Sequence, residues 1–395
     1  MFGEKKVKLN KKILIIAPHF PPLRTSAAHQ MRDLVDAFSK KKINTYVITP
    51  NFNQDKLVIE KKTKYSYVIK VKTPKFIDIN FFKRFFVEFV NPYILIFLIR
   101  NNKITLNSYD GIIYYSPSIF LSPLLKFFKK RNSCKIYLIL RDIFPKWAFD
   151  LKVIDNVFIY KFLCFFEKKL YKLSDTIGVQ TPSNLNYFRK LRLNSHIHVL
   201  PNWQTNLFSK KIMTFNKSEI KNIVYTGNLG IAQDIQILID FAKHSMHNQN
   251  LRFIFIGRGL FSDQIIKYSK IFHNIKYYDE MELKDLQKIL DFAHVGMFSL
   301  NKNHSLDNIP GKFLTYLNNQ LPVIGFVNKG NDILKFSINY KFGYVTSSRD
   351  LDKMYSNLMN ILDNVNYFSY KEDAKRLFND HFDVDTTVDT ICESL

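Results

Sequence analysis

Short apolar runs alternate with amphipathic segments of helical length along most of this 395-residue chain. Apolar runs of this kind predict buried strands, and the longer segments repeat their apolar residues with helical spacing. Strands that alternate with helices favour a parallel sheet covered by helices. The predicted strands are 13–17, 45–49, 111–115, 135–140 and 176–179 in the first half and 222–226, 251–256, 275–278, 295–300 and 322–327 in the second; helices are predicted at 28–40, 157–173, 234–245 and 283–293.

The series of strands and helices restarts after Pro201, which divides the chain into two parts. We therefore predict two doubly wound, Rossmann-like α/β domains, over residues 1–203 and 222–395, that face a central cleft. Residues 204–221 are polar and without a clear period, and we interpret them as the linker. The C-terminal helices are candidates to return to the first domain.

Positive charge is concentrated in the first half of the chain. Residues 1–200 hold 36 Lys and Arg against 13 Asp and Glu, whereas residues 201–395 hold 22 against 21. A bias towards lysine codons alone would spread the charge over both halves, so the asymmetry indicates an anionic partner. Nucleic acid, an anionic lipid leaflet and a diphosphate substrate all fit that requirement, and charge does not choose among them.

The segment 79–100 reads INFFKRFFVEFVNPYILIFLIR and combines aromatic, aliphatic and basic residues. Its longest apolar stretch falls short of the roughly 18 residues that a membrane-spanning helix needs. An interfacial helix in the lipid headgroup layer and a buried hairpin of core helices both fit this segment. Together with the charge of the first half, it favours contact with a membrane surface.

The three cysteines form no CxxC pair, which argues against a disulfide scaffold and a structural zinc site. The N-terminal lysine-rich residues lead directly into the first predicted strand, without the apolar core and cleavage site of a signal peptide. We therefore expect a cytoplasmic protein.

Ligands of open α/β sheets bind beyond the carboxyl ends of the strands, so the loops there are the candidate site. After the first strand, 18–27 reads PHFPPLRTSA and lacks the GxGxxG turn of a dehydrogenase. Ser26 and Ala27 lie at the start of a predicted helix whose N-cap is Thr25 or Ser26. Backbone N–H groups at this helix start could bind an anion. An ordinary connection between strand and helix explains the loop equally well. Arg141 and Asp142 directly follow another predicted strand. Arg141 is a candidate phosphate partner and Asp142 a candidate proton acceptor, and a structural ion pair between them is the alternative.

Glycine loops follow two strands of the second half. The sequence TGNLG contains Gly227 and Gly230, which permit close approach of the backbone to a ligand. Gly257 and Gly259 flank Arg258, and such a turn suits a nucleotide phosphate. An ordinary glycine turn is the alternative at each place.

The segment SLDNIPGKFLTYLNNQLPVIGFV, residues 305–327, carries the strongest local signal. We predict a helix with Asp307 or Asn308 as N-cap, Pro310 near the first helical position and Lys312 in the first turn. A lysine there opposes the helix dipole, so a bound anion that uses both the helix N–H groups and Lys312 would explain its position. The alternative is an exposed lysine at small cost.

Five motifs in this order resemble glycosyltransferase family 4, a GT-B family, from about Lys12 to the last helix. They are HFPPLRTSAAHQMRDL, LRDIFPKWAFDL, GVQTPSN followed by VLPNW, YTGNLGIAQD and NIPGKFLTYLNNQLPVIG. The resemblance is greatest to bacterial surface-polysaccharide enzymes, including N-acetyl-L-fucosamine transferases of O-antigen assembly.

The resemblance implies a retaining transfer of a sugar, such as an N-acetylated deoxyhexosamine, from a UDP-sugar to a polyprenyl diphosphate-linked saccharide in O-antigen or capsule synthesis. It implies no metal, no other cofactor and no nucleic-acid partner, and a place at the inner face of the cytoplasmic membrane. The expected catalytic residues are Asp142, Asp307 and Lys312. The expected acceptor or phosphate-loop residues are Ser26, Ala27 and Arg141. Donor binding is expected from Gly227, Asn228, Gln233, Arg258, Pro310, Gly311 and Thr315.

This sequence departs from the family at three places. Many relatives carry two glutamates separated by seven residues, and Asp307 and Thr315 stand there in this chain. Relatives also bind the diphosphate with an arginine and a lysine after the first strand of the second domain. Both are absent here, where Asn228 and Gln233 stand in that region. Lys312 and Arg258 are therefore the candidate cations for the diphosphate.

Two other functions are consistent with the sequence. A GT-B nucleotide-sugar epimerase would share the fold and donor but would leave the basic first half unexplained. A non-catalytic protein that binds anionic surfaces would use that basic half as its whole function.

Overall fold

The computed structural model describes residues 11–23, 25–52, 57–75, 79–101, 108–116, 118–206, 220–304 and 307–395. The chain forms two compact units, Met1–Asn202 with Val384–Leu395, and Trp203–Asp383. Of the predicted linker 204–221, residues 207–219 lie outside the described residues.

The first unit is built on an eight-stranded sheet. Its order is β3-β4-β2-β1-β5-β6-β7-β8, and every neighbouring pair is parallel except β3 and β4. The strands are β1 (Lys12–Ile16), β2 (Asn44–Asn51), β3 (Val58–Thr63), β4 (Ser66–Lys72), β5 (Gly111–Tyr115), β6 (Lys135–Leu140), β7 (Thr176–Val179) and β8 (His196–Val199). The helices are α1 (Ser26–Lys40), α2 (Phe81–Asn101), α3 (Ser122–Lys129), α4 (Lys146–Asp150), α5 (Val157–Leu173) and α6 (Leu185–Arg189).

The second unit has a six-stranded, wholly parallel sheet in the order β11-β10-β9-β12-β13-β14. The strands are β9 (Lys221–Thr226), β10 (Leu251–Ile256), β11 (Ile275–Tyr278), β12 (Val295–Ser299), β13 (Val323–Phe326) and β14 (Gly343–Thr346). The helices are α7 (Ile235–His244), α8 (Ser262–Ile271), α9 (Leu283–Leu290), α10 (Gly311–Asn318), α11 (Ile333–Phe336), α12 (Leu351–Ile361) and α13 (Asn364–His381).

Both sheets are doubly wound, as predicted from the alternation of strands and helices. In the second unit the chain builds outward from β9 to β11 and then returns to place β12 on the other side of β9. This reversal creates a switch point beside the carboxyl end of β9, where open α/β sheets bind ligands. The first unit reverses in the same way between β1 and β5.

Four strands, β3, β4, β8 and β14, were not expected from the sequence. Three of them are edge strands, and edge strands are less buried than central ones. Strand β3, for example, alternates partly buried with exposed residues and contains the charged sequence EKK. Short strands of this kind lack the continuous apolar run by which the central strands were predicted.

The segment 79–100 forms one helix, α2, with Pro92 in its interior. The interpretation of this segment as a hairpin of core helices was therefore wrong. One face of α2 is buried at Asn91 and Leu95, whereas Phe86 and Phe97 are 67% and 62% exposed on the other. Across the described parts of the chain, no helix combines the length and apolar character needed to span a bilayer.

The last helix, α14 (Val384–Ser394), belongs to the first unit, where it packs against α1. Lys41 forms an ion pair with Asp389 of α14, and the Lys11 ammonium donates to the Cys392 carbonyl at 3.4 Å. Leu395 packs so closely on Gly111, at the start of β5, that a Cβ atom there would lie 2.9 Å from its side chain.

Candidate functional site

Two glycine loops meet at the carboxyl ends of β9 and β10. Gly227 and Gly257 both have positive φ values, +106° and +143°. The Gly227 N–H donates to the Ile256 carbonyl at 2.8 Å, and a Cβ atom on Gly257 would lie 2.0 Å from the Gly227 carbonyl oxygen. The loops therefore pack backbone against backbone, and any side chain at Gly257 would separate them.

Helix α10 begins later than the sequence indicated. Its N-cap position is occupied by Pro310, no side chain caps the helix, and Gly311 and Lys312 are its first two residues. The prediction of Asp307 or Asn308 as N-cap was wrong, because the extended Pro310 separates them from the first turn. Lys312 does lie in the first turn, at the end of the helix that repels cations.

The side chain of Lys312 reaches the glycine loop after β9. Its Nζ atom lies 3.8 Å from the position of a Cβ atom on Gly227 and 3.7 Å from the ring centroid of Tyr225. The ammonium also donates to the Tyr225 hydroxyl, which in turn donates to the Asn228 carbonyl at 2.5 Å. This chain of contacts fixes the loop and the lysine relative to each other.

The contacts of Lys312 with Tyr225 stabilise its charge but do not neutralise it. Burial lowers the pKa of Lys312 well below its ordinary value. Among the described residues no carboxylate forms an ion pair with it. A cation in this position is stabilised when an anion binds beside it, which makes Lys312 a candidate anion-binding residue.

Asn228 and Gln233 both follow β9, and the Asn228 carbonyl accepts from the Tyr225 hydroxyl that Lys312 contacts. The Asn228 amide donates to the Gln233 side-chain oxygen at 3.2 Å, and Gly230 leaves room for both side chains. The Ser299 hydroxyl, at the end of β12, donates to the backbone carbonyls of Gln233 and Asp234. The structure thus places Gly227, Asn228 and Lys312 together at the carboxyl end of β9, with Gln233 bonded to Asn228. Their donor-binding and catalytic roles stay predictions.

Asp307 is held by residues that the sequence analysis missed. The Asn328 amide donates to its carboxylate at 3.1 Å, and the Asn331 amide donates to the Asn328 side chain at 2.8 Å. Both asparagines are buried and follow β13. Their position after a predicted strand was the available signal, in the sequence NKGND.

Arg258 and Thr315 have other partners. The Arg258 side chain, 59% exposed, forms an ion pair with Glu280 at 3.0 Å. The Thr315 hydroxyl accepts from the Gln204 amide at 2.8 Å and donates to the Gly311 carbonyl at 3.1 Å. The Arg258 carbonyl accepts from the Leu229 N–H in the glycine loop at 2.9 Å, so it is the backbone of Arg258 that joins this loop. The donor-binding roles of the Arg258 and Thr315 side chains stay predictions.

A second cation, Arg349, was missed because it follows β14, a strand that the sequence did not reveal. Its guanidinium pairs with Asp234 at 3.2 Å and donates to the Leu300 carbonyl at 3.1 Å. Burial lowers its pKa, although the Asp234 carboxylate opposes this effect. Arg349 therefore joins the ends of β12 and β14 to the start of α7.

In the first unit, the loop after β1 leads into α1. The Thr25 hydroxyl accepts from the Ala28 N–H at 3.2 Å, so Thr25 is the N-cap of the two residues considered. Ser26 is exposed and Ala27 half-buried in the first turn. These two residues thus lie at a helix N-terminus, as expected.

Arg141 is buried beneath the loop that follows β6. Its guanidinium donates to the Asn202 side chain at 2.7 Å and to the Leu200 carbonyl at 2.9 Å. Burial raises the pKa of the neighbouring Asp142 carboxyl, and the Arg141 charge opposes the rise. Arg141 therefore fixes the chain after β8, which leaves Asp142 as the candidate proton acceptor.

No family model matches the sequence, and no curated protein matches it either. The chain is similar in structure to sucrose-phosphate synthase from Thermosynechococcus elongatus, with a TM-score of 0.76 and 10% identity over 97% of this chain and 98% of that one. It is similar to WaaG, a glycosyltransferase involved in lipopolysaccharide biosynthesis, with a TM-score of 0.66 and 11% identity over 96% and 98%. HepE from Anabaena, in complex with UDP and glucose, gives a TM-score of 0.62 and 13% identity over 97% and 99%.

These similarities extend over nearly the whole of each chain and include both sheets. Identities of 10% to 13% concern the fold alone. The chain is an α/β protein of two Rossmann-like units and has the GT-B fold of the glycosyltransferases that it resembles.

Proposed function

We propose that this protein is a glycosyltransferase of family 4 that moves a sugar from a UDP-sugar to a polyprenyl diphosphate-linked saccharide, with retention of configuration. The observation that carries the proposal is the position of Lys312. Its uncompensated ammonium lies beside the Gly227 loop and in the first turn of the uncapped helix α10. A diphosphate supplies the charge that all three elements favour.

The second unit would act mainly on the leaving group. When the bond between sugar and diphosphate breaks, negative charge develops on UDP. Lys312 and the first N–H groups of α10 already lie at one place and need no large rearrangement to stabilise that charge. Asp307, held by Asn328, would orient the donor sugar.

The first unit would act on the acceptor. Asp142 would accept or orient the proton of the attacking hydroxyl, and its raised pKa makes it a stronger base than an ordinary aspartate. No metal or other cofactor is assigned a role in this proposal.

The structurally similar proteins support a UDP-sugar as the donor and a surface polysaccharide as the product. WaaG is described as acting in lipopolysaccharide biosynthesis, and HepE was crystallised with UDP and glucose. By this analogy we assign the protein to O-antigen or capsule synthesis. An N-acetylated deoxyhexosamine is the donor sugar that the sequence resemblance favours.

We further propose that the first unit rests on the inner face of the cytoplasmic membrane. Two of its helices expose aromatic side chains: Phe97 of α2 is 62% exposed and Phe158 of α5 is 82% exposed. Lysines lie among the exposed residues of α5, with Lys169 over the ring of Phe165 at 4.1 Å. Aromatic residues among cations are typical of helices that bind an anionic lipid surface.

The test is transfer from a panel of UDP-sugars to a polyprenyl diphosphate-linked N-acetylhexosamine, with donor hydrolysis measured in parallel. Transfer that depends on both substrates supports the proposal. Interconversion of UDP-sugar epimers without an acceptor would favour the epimerase. Binding to anionic vesicles without any stabilisation by UDP would favour a non-catalytic protein.

A further inference from the structure

A pocket in the first unit lies at the carboxyl ends of four neighbouring strands, β4, β2, β1 and β5. Helix α2 contributes one of its faces, because Glu88, Asn91 and Leu95 recur with helical spacing along the pocket. All the residues that line the pocket belong to the first unit. The pocket is therefore a complete feature of that unit.

The pocket is small and mostly apolar. Its volume is about 40 Å³, and its walls include Ile48, Leu95 and Leu121. A water molecule needs roughly 10–15 Å³ measured in this way, so there is room for about three atoms or groups of that size. A whole sugar ring is too large, whereas a single substituent of a sugar fits.

Three polar side chains that line the pocket have no hydrogen-bond partner among the described residues. They are the hydroxyls of Thr49 and Thr73 and the side-chain oxygen of Asn91. Their side chains are deeply buried, with residue exposures of 2%, 5% and 7%. Buried polar groups in proteins are almost always paired, so three unpaired ones around one pocket indicate a polar ligand.

The charges around the pocket are already compensated. Arg84 pairs with Glu88 at 2.7 Å. Burial and the nearby Arg84 charge lower the pKa of His19 to about 4, which keeps its ring neutral at physiological pH. A phosphate or carboxylate in the pocket would have no uncompensated cation to pair with. The pocket therefore favours an uncharged ligand.

We propose that this pocket binds the acetamido group of an N-acetylated acceptor sugar. An acetamido group combines one methyl, one carbonyl and one N–H group. The methyl would contact the aliphatic wall, the carbonyl would accept from Thr49 or Thr73, and the N–H would donate to the Asn91 oxygen. The choice of a sugar as ligand rests on the proposed function.

The binding step can be measured without catalysis. We would record saturation-transfer NMR on methyl N-acetyl-α-D-glucosaminide, with methyl α-D-glucoside as the comparison ligand. The expected result is stronger transfer to the acetyl methyl than to the ring protons, and no comparable transfer to the glucoside. Equal transfer to all protons of the two sugars would overturn the proposal.

Variants of the unpaired groups identify the pocket as the binding site. Thr49→Val and Asn91→Leu keep the number and branching of the side-chain heavy atoms but remove the hydrogen-bonding atoms, and we expect each to abolish the preference for the acetyl methyl. Thr45→Val is the matched control, because the Thr45 hydroxyl is also buried and unpaired, on the same strand β2, but does not line the pocket. An unchanged preference in Thr49→Val and Asn91→Leu would overturn the assignment.

Stability separates a binding role from a structural one. Since the Thr49 hydroxyl has no partner to lose, Thr49→Val should leave the melting temperature unchanged or raise it. In transfer assays the same variant should lower kcat/KM for the N-acetylated acceptor about 10-fold or more. Failure of the natural protein to transfer or hydrolyse any UDP-sugar would count against the proposed function, whereas an unchanged kcat/KM in Thr49→Val would overturn this pocket.

Discussion

The ammonium of Lys312 lies 3.8 Å from where a Cβ atom would stand on Gly227. An added Cβ atom would be in ordinary van der Waals contact with the lysine, so glycine is favoured here by its φ of +106° rather than by lack of space. The two residues are 85 positions apart in the chain. The lysine is half-buried, and burial lowers its pKa.

Replacing Lys312 with Met tests the role of that charge. We expect turnover to fall about 100- to 1,000-fold, because the variant loses a group that stabilises the charge of the leaving UDP. The melting temperature should stay the same or rise, since a desolvated cation is removed. Lys371→Met is the matched control, because burial also lowers the pKa of Lys371, which lies over the ring of Tyr367. Normal turnover in a folded Lys312→Met protein would remove this residue from the mechanism.

The lowered pKa of Lys312 predicts that UDP binding takes up protons. Bound diphosphate raises the pKa of the ammonium, so protons bind with UDP and affinity falls as the pH rises. Calorimetry at pH 8 to 9, where UDP itself is fully ionised, should give different binding enthalpies in buffers of different ionisation enthalpy. Equal enthalpies in all buffers, or uptake that persists in Lys312→Met, would contradict the prediction.

Glu167 of α5 predicts a pH dependence of stability. Burial raises its pKa to about 7, although hydrogen bonds from Tyr171 and Tyr187 oppose the rise. Because the folded protein holds this proton more tightly than the unfolded chain, the contribution to stability is complete below about pH 4.5. It is lost as the pH rises towards 7, by roughly 3 kcal/mol in all.

Glu167→Gln removes the titration and keeps a neutral acceptor for the tyrosines. The difference between its melting temperature and that of the natural protein should grow in favour of the variant from pH 5 to pH 8. A constant difference across that range would show that the carboxyl does not titrate there.

The contact between the two glycine loops predicts unequal effects of alanine. Gly257→Ala would place a Cβ atom 2.0 Å from the Gly227 oxygen, and we expect the melting temperature of the second unit to fall by about 6–12 °C. Gly330→Ala is the control, since its φ is +81° but no atom lies within 4 Å of the added carbon. It should cost only about 2–4 °C. Equal shifts in a thermal-unfolding experiment would argue against the close packing.

Membrane contact through the first unit predicts a loss of vesicle binding when its exposed aromatics are removed. Phe97→Ser and Phe158→Ser should each reduce cosedimentation with anionic vesicles several-fold and leave binding to zwitterionic vesicles weak. Phe292→Ser is the control, because Phe292 in the second unit is 62% exposed, as is Phe97. Equal reduction in all three variants would show that aromatic surface in general, rather than the first unit, binds the lipid.

The central strands of both sheets could be predicted because burial on both faces leaves a continuous apolar run. Strands β5, β6 and β10 were expected with the bounds that the structure gives. The edge strands β3 and β14 carry polar residues on a side that faces the solvent, and their pattern resembles that of a loop. The local sequence therefore predicted the order and type of the central elements better than the number of strands in each sheet.

Part of the candidate site could also be predicted, at a position where the residue type conflicts with the electrostatics of its helix. A lysine in the first turn of a helix is unfavourable, and this conflict singled out Lys312. The partners of Arg258 and Thr315 could not be foreseen, because Glu280 and Gln204 are 22 and 111 positions away along the chain. Aspartate is also a favoured N-cap residue, but the Asp307 carboxylate instead accepts a hydrogen bond from Asn328.

The packing of α14 against α1 affects the order in which the molecule can form. Residues near the beginning of the chain, such as Lys41, have partners within the last dozen residues, here Asp389. Without α14, the face of α1 that packs against it and the backbone at Gly111, at the start of the interior strand β5, would be uncovered.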